Sequence, residues 1–217
     1  MYGITVLSPL ILIFGVILGV VNFKKITPIG KLIFFYVLTV FGLDLLSRYL
    51  GFISGSKNNL ILLSINGIID LTFFSLLYTK YYIGSKLIIL RIITLVALFV
   101  VIYLLFGKTF ITTSGFDSYD KVMCDGIIVV YAIISMLDLL KSKSILSKDM
   151  IRVNAGVLLF FSFDMLFSLV INFLLNAGLN YGIYFYLLRS TLLLTLYIVL
   201  IHTLWQTGKN RKHLQFG

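Results

Sequence analysis

The sequence predicts an all-α membrane protein, a bundle of seven transmembrane helices with its N-terminus outside and its C-terminus inside. Three observations predict it. Of the 217 residues, 60% are hydrophobic and 12% are charged, and the mean hydropathy is +1.08. Soluble domains carry about 25% charged residues, so water cannot be the main solvent of this surface. The apolar residues gather in seven runs, each long enough to cross ~30 Å of hydrocarbon as a helix. The basic residues, finally, are distributed unequally between alternate connectors.

The runs are 4–23, 32–53, 60–78, 87–106, 119–140, 150–175 and 180–206, in one seven-helix domain over 1–217. A helix satisfies its own backbone polar groups in lipid, which is why such runs read as helices. Barrel strands would be shorter and would alternate polar with apolar residues. The first run lacks a small-residue cleavage site, so it reads as a first span and not as a removable signal peptide. Residues 207–217 are too few for an independent core.

The connectors after runs 1, 3, 5 and 7 carry thirteen basic residues: Lys24, Lys25, Lys31, Lys80, Lys86, Arg91, Lys141, Lys143, Lys148, Arg152, Lys209, Arg211 and Lys212. The opposite side carries three, Lys57, Lys108 and Lys121. Positive residues stay in the cytoplasm, which orients the chain and implies an odd number of crossings of the cell inner membrane. The net charge of +10 therefore points to an anionic lipid surface and not to nucleic acid. The single cysteine, Cys124, has no partner for an internal disulfide.

All eight acidic residues are Asp. Asp44, Asp70, Asp125 and Asp164 fall within spans, as do Arg48 and Arg189. A charge at mid-membrane costs at least ~2.5–3.5 kcal/mol, so such residues face the bundle interior or a wet cavity. Depth along the helices places Asp44, Arg48, Asn66, Asp70, Asp125, Asp164, Asn172 and Arg189 together in the outer half as a candidate ligand-binding pocket. Tyr49, Tyr78 and Tyr186 are expected around it. The competing expectation is a set of ion pairs that lock helices together, with Asp44 and Arg48 at i,i+4 on one helix face and Arg189 bridging to Asp164 or Asp125. Four carboxylates against two guanidiniums leave two excess negative charges if all ionise. His202, Trp205, Asn154 and Asp138 are expected in an inner polar layer. Gly15, Gly19, Gly42 and Gly51 are expected at close helix contacts.

Several chemistries are excluded. Two histidines and one cysteine are too few for a zinc hydrolase site, and the last run has no lysine for a retinal Schiff base. No cofactor, metal or catalytic residue is expected.

The stretches Val21-Asn22-Phe23-Lys24-Lys25, Asp44-Leu45-Leu46-Ser47-Arg48-Tyr49-Leu50, Asn58-Asn59-Leu60, Ser118-Tyr119 and Asn154-Ala155-Gly156-Val157-Leu158 through Phe161-Ser162 resemble small seven-helix membrane proteins of Bacteroidetes-type bacteria. Related modules precede sensor histidine kinases. The resemblance implies a sensory role and a cytoplasmic or membrane signalling partner such as a histidine kinase. The 217 residues hold no kinase segment, and Asp44 stands where such relatives carry Glu.

Three functions follow as expectations. The first is a receptor-like sensor or signalling module that binds a small ligand or proton in the outward-facing polar pocket. The second is a small-solute or proton-coupled transporter, motivated by a weak internal repeat that aligns Asp44 with Asp164, Phe41 with Phe161 and Ser75 with Thr195; parallel three-helix repeats occur in small sugar transporters. The third is an intramembrane lipid hydrolase with an Asp dyad, Asp44 or Asp70 with Asp164, similar in outline to lysoplasmalogenase-type enzymes, although their usual Gly-Asp motif is absent. The sequence favours a non-enzyme, and a homo-oligomer stays open.

Overall fold

The computed structural model describes residues 2–52, 60–82, 88–110, 119–141, 148–176 and 182–213. They form seven α-helices: α1 (Tyr2–Asn22), α2 (Pro28–Phe52), α3 (Leu60–Leu77), α4 (Ile88–Phe110), α5 (Tyr119–Lys141), α6 (Lys148–Asn176) and α7 (Gly182–His213). α3 runs on into a π-helical turn over Tyr78–Tyr82. Each helix overlies one apolar run. α7 is longer than its run and continues through the basic stretch to His213.

Five of the helices, α2, α3, α4, α6 and α7, are long and apolar enough to cross a membrane. The described apolar part of α1, Leu7–Asn22, is shorter. α5 carries Asp120, Lys121, Asp125 and Asp138 and is not among the five. The pattern of burial is inverted relative to a soluble protein. Phe14, Val21, Phe99, Tyr103 and Phe173 are exposed, whereas Asp70, Lys121, Asp125 and Asp164 are buried. Apolar side chains outside and charges inside suit a protein surrounded by lipid. The chain is thus a multi-pass membrane-embedded protein.

The helices pack in a closed circuit. α1 lies against α2 and α7, α2 against α3 and α7, α3 against α5, α5 against α6, and α6 against α7. α4 is peripheral, against α3 and α5. The core between them is built of Leu12, Val37, Leu71, Phe74, Ile128, Val157, Phe161, Leu196 and Leu200. Phe74 packs edge-on against Tyr36 and Phe161, with ring centroids 5.1 and 5.0 Å apart, and so ties α2, α3 and α6 together.

Glycines set the closest approaches. A Cβ on Gly15 would stand 2.8 Å from Ile201 of α7, and one on Gly19 would overlap the Phe34 ring of α2. The Gly15–Gly19 pair on α1 therefore serves two different neighbours. Gly42 has nothing within 4 Å of a Cβ position, so the expected close contact there is corrected: its face is open. The surroundings of Gly51 lie outside the described residues. Gly15 opposes Ile201 and Asn22 opposes Gly208, so α1 and α7 run side by side in the same direction.

Candidate functional site

Lys121 lies three residues into α5, and none of its side chain reaches the surface. The close packing of α3 on α5 puts it there: a Cβ on Gly67 would stand 3.5 Å from Lys121 Cα. Its ammonium is 3.0 Å from Asp125 Oδ1 one turn along its own helix, 2.9 Å from Asp164 Oδ2 on α6 and 3.6 Å from Asp70 Oδ2 on α3. The Phe161 ring lies 5.9 Å away as a further cation-binding surface. One cation thus joins carboxylates from three helices.

Each carboxylate is held differently. Asp70 accepts from the Tyr36 hydroxyl of α2 at 2.8 Å and from the Asn66 amide at 3.0 Å, the latter an i,i+4 contact along α3. Asp164 is gripped by Arg189 of α7 through two guanidinium nitrogens, Nε to Oδ1 and Nη2 to Oδ2, the latter 3.2 Å. That fork geometry is specific to Arg. Asp125 has the thinnest support: Lys121 holds Oδ1, while Oδ2 is buried with no hydrogen-bond partner among the described residues. The three carboxylates and two cations sum to a charge of −1 when all five are ionised.

The expected cluster is thus partly assembled. Asn66, Asp70, Asp125, Asp164 and Arg189 come together, in a network joining α2, α3, α5, α6 and α7. Asp44 and Arg48 form a separate local pair at 2.7 Å on α2, 23% and 30% exposed. Asn172 lies on α6, with its side chain outside the described part of the structure, as is that of Tyr186. Tyr49 is exposed, and Tyr78 belongs to a second layer nearer the other end of α3. Lys121 is a correction of another kind. Composition placed it in an outer connector, whereas it is the centre of the network. Its i,i+4 spacing to Asp125 and the excess of negative charge in the spans are the signals by which the sequence could have revealed it.

The network is closed. Asp70, Asp125 and Asp164 are buried, and Arg189, with 21% of its side chain exposed, forms its edge. A cavity of ≈ 10 Å³ beside Tyr36, Phe74 and Leu200 has room for about one water. Among the described residues, no group of three His, Cys, Asp or Glu side chains is placed to hold a metal ion. Asp70 and Asp164, expected as one possible dyad, both face the Lys121 ammonium.

The second polar layer repeats the same helices. The Tyr78 hydroxyl donates to Asn154 Oδ1 at 2.7 Å, and Asn154 Nδ2 donates to the Ala132 carbonyl at 3.2 Å, joining the π-helical turn, α6 and α5. Tyr82 donates to the Met150 carbonyl at 3.1 Å. His202 stands apart from that layer. Its Nδ1 is 3.3 Å from Arg152, its Nε2 is 3.2 Å from Gln206, and its ring lies 6.0 Å from Trp205. Asp138, expected with them, is exposed.

These features define a multi-pass α-helical membrane protein with an ionic core. No family model, curated protein or solved structure matches the chain.

Proposed function

We propose that the protein is a receptor-like sensor of the cell inner membrane, with seven crossings and an outside N-terminus, in which a proton acts on the Lys121 network. A cytoplasmic or membrane partner such as a histidine kinase reads the resulting shift in helix packing. The observation that carries this reading is the single ammonium shared by three carboxylates on three helices, with one carboxylate oxygen left unsatisfied. A charge of −1 in hydrocarbon is expensive, and a proton would remove it. The closed packing favours a proton over a larger ligand. The parallel pairing of α1 with α7 fits an odd number of crossings. With Lys121 removed from the connector count, the charge asymmetry becomes thirteen against two, which supports the same orientation.

A sensor also needs a route to its output. α3, α5 and α6 meet at Lys121 and meet again at Tyr78, Asn154 and Ala132. π-helical turns are frequent at functional positions. A change in the charge of the network alters the attraction among these helices, and the turn offers a place where α3 can yield. Protonation shifts such an equilibrium only by its differential effect on the two packings.

The lone tryptophan, Trp205, is a reporter on α7, the helix that carries Arg189. The groups facing the network are Tyr36 from α2, Asp70 from α3, Asp120, Cys124 and Asp125 from α5, Asp164 from α6, and Arg189 and Tyr197 from α7. In nanodiscs, with His202→Gln as the background so that no imidazole stands beside Trp205, acidification should shift the emission reversibly. Asp125→Asn and Arg189→Gln should abolish the shift while helix content by circular dichroism is kept. An emission that ignores pH in the parent, or a shift retained in both variants, would overturn the proposal.

A further inference from the structure

A groove of ≈ 470 Å³ runs between α1 and α7, lined by Leu10, Phe14, Leu18, Ile198, His202 and Trp205 among others. Leu10, Phe14 and Ile198 are more than half exposed, so the groove opens to the surroundings of the bundle. Over most of its length its lining is aliphatic or aromatic. At one end it turns polar and basic. His202 is in contact with the Arg152 guanidinium at 3.3 Å. One turn beyond Leu18, Asn22 packs on Gly208, and the exposed Lys24 and Lys25 follow in the turn to α2. Trp205, 42% exposed, sits at this end, as an interfacial tryptophan does.

From an apolar channel with a cationic mouth at the level of an interfacial tryptophan we infer that the α1–α7 groove is a binding site for an anionic phospholipid. An acyl chain lies along Leu10, Phe14, Leu18 and Ile198, and the phosphate faces Arg152, Lys24 and Lys25. Basic pockets between membrane helices on the cytoplasmic side bind acidic head groups. A second copy of the chain would cover the apolar length of the groove equally well but would bring its own basic end to the same level, setting like charges against one another.

Trp205 lines the groove, and the chain has no other tryptophan. The test is quenching of its fluorescence in the purified full chain by phosphatidylglycerol brominated on its acyl chains, against phosphatidylcholine with the same chains. Brominated phosphatidylglycerol should quench at a several-fold lower mole fraction. Arg152→Gln, and separately Lys24→Gln with Lys25→Gln, should each reduce that preference, by about fivefold for each charge removed. Lys24 and Lys25 are exposed in a turn, so their variant tests the site even where Arg152→Gln fails to fold. Equal quenching by the two lipids overturns the inference, as does a preference that survives both sets of substitutions. Absence of quenching by either lipid, with a dimer by crosslinking, overturns it in favour of a second copy.

Discussion

Lys121 Nζ on α5 stands 2.9 Å from Asp164 Oδ2 on α6, with neither side chain exposed. Asp164 is also forked by Arg189 of α7. One carboxylate therefore takes two cations from two helices, while Asp125 takes one contact and leaves an oxygen unsatisfied. The network is lopsided, and removal of its members should not be equivalent.

Lys121→Met should be the most damaging single change in the network. It leaves three carboxylates facing one another with only Arg189 opposed to them, and loss of one partner from a buried ionic group costs about 3–5 kcal/mol. Asp125→Asn removes a negative charge from a site already in excess and should change stability by less than about 1 kcal/mol. Unfolding midpoints in bicelles would check this. Equal losses in the two variants would show that Asp125 is as firmly held as its neighbours.

The two Asp–Arg pairs should differ in coupling. In a double-mutant cycle, Asp164→Asn with Arg189→Gln should show a coupling of about 1.5 kcal/mol or more, in line with desolvated charge pairs. Asp44→Asn with Arg48→Gln should show about 0.5 kcal/mol or less, as expected of a local i,i+4 pair that is partly exposed. Arg189→Lys should recover little of the first value, because a lysine cannot reproduce the fork.

Gly19→Ala should destabilise by about 1–3 kcal/mol, since the added methyl meets the buried Phe34 ring, itself packed edge-on against Phe23 at 5.6 Å. Gly42→Ala adds a methyl in open space and should be neutral or gain up to about 1 kcal/mol from helix propensity. Thermal melting of the two variants is the measurement, and the reverse order would contradict the α1–α2 packing.

Orientation can be read by thiol labelling. Cys124 is buried, so the natural chain is a silent background. Lys57→Cys and Lys108→Cys should react with a membrane-impermeant maleimide in intact spheroplasts. Lys24→Cys and Lys25→Cys should react only after lysis. The opposite pattern would invert the proposed topology.

Helical class, helix number and the membrane environment were legible because each rests on a long-range average. Twenty apolar residues in succession leave little choice, and connector charges act together. The site was legible only in part, because a side chain's partner depends on helix rotation, which the even apolarity of these helices conceals. Asp70, Asp125, Asp164 and Arg189 were found because their burial is costly wherever they point. Lys121 was misplaced because a lysine near a helix end ordinarily reaches outward to water. Here the spacing to Asp125 and the approach of Gly67 turn it inward. Asp44 was grouped with the others on depth alone, and its own helix already supplied Arg48.

The pairing of α1 with α7 in one direction carries a consequence for the parity of the chain. Successive helices reverse direction, so deletion of any one of those between would flip every later helix end for end. α4 makes the least contribution to the circuit and none to the ion pairs described, yet its excision would turn α5, α6 and α7 upside down together, with Lys121, Asp164 and Arg189 at the far end from Asp70. The outlying helix is indispensable as a count, whatever its packing is worth.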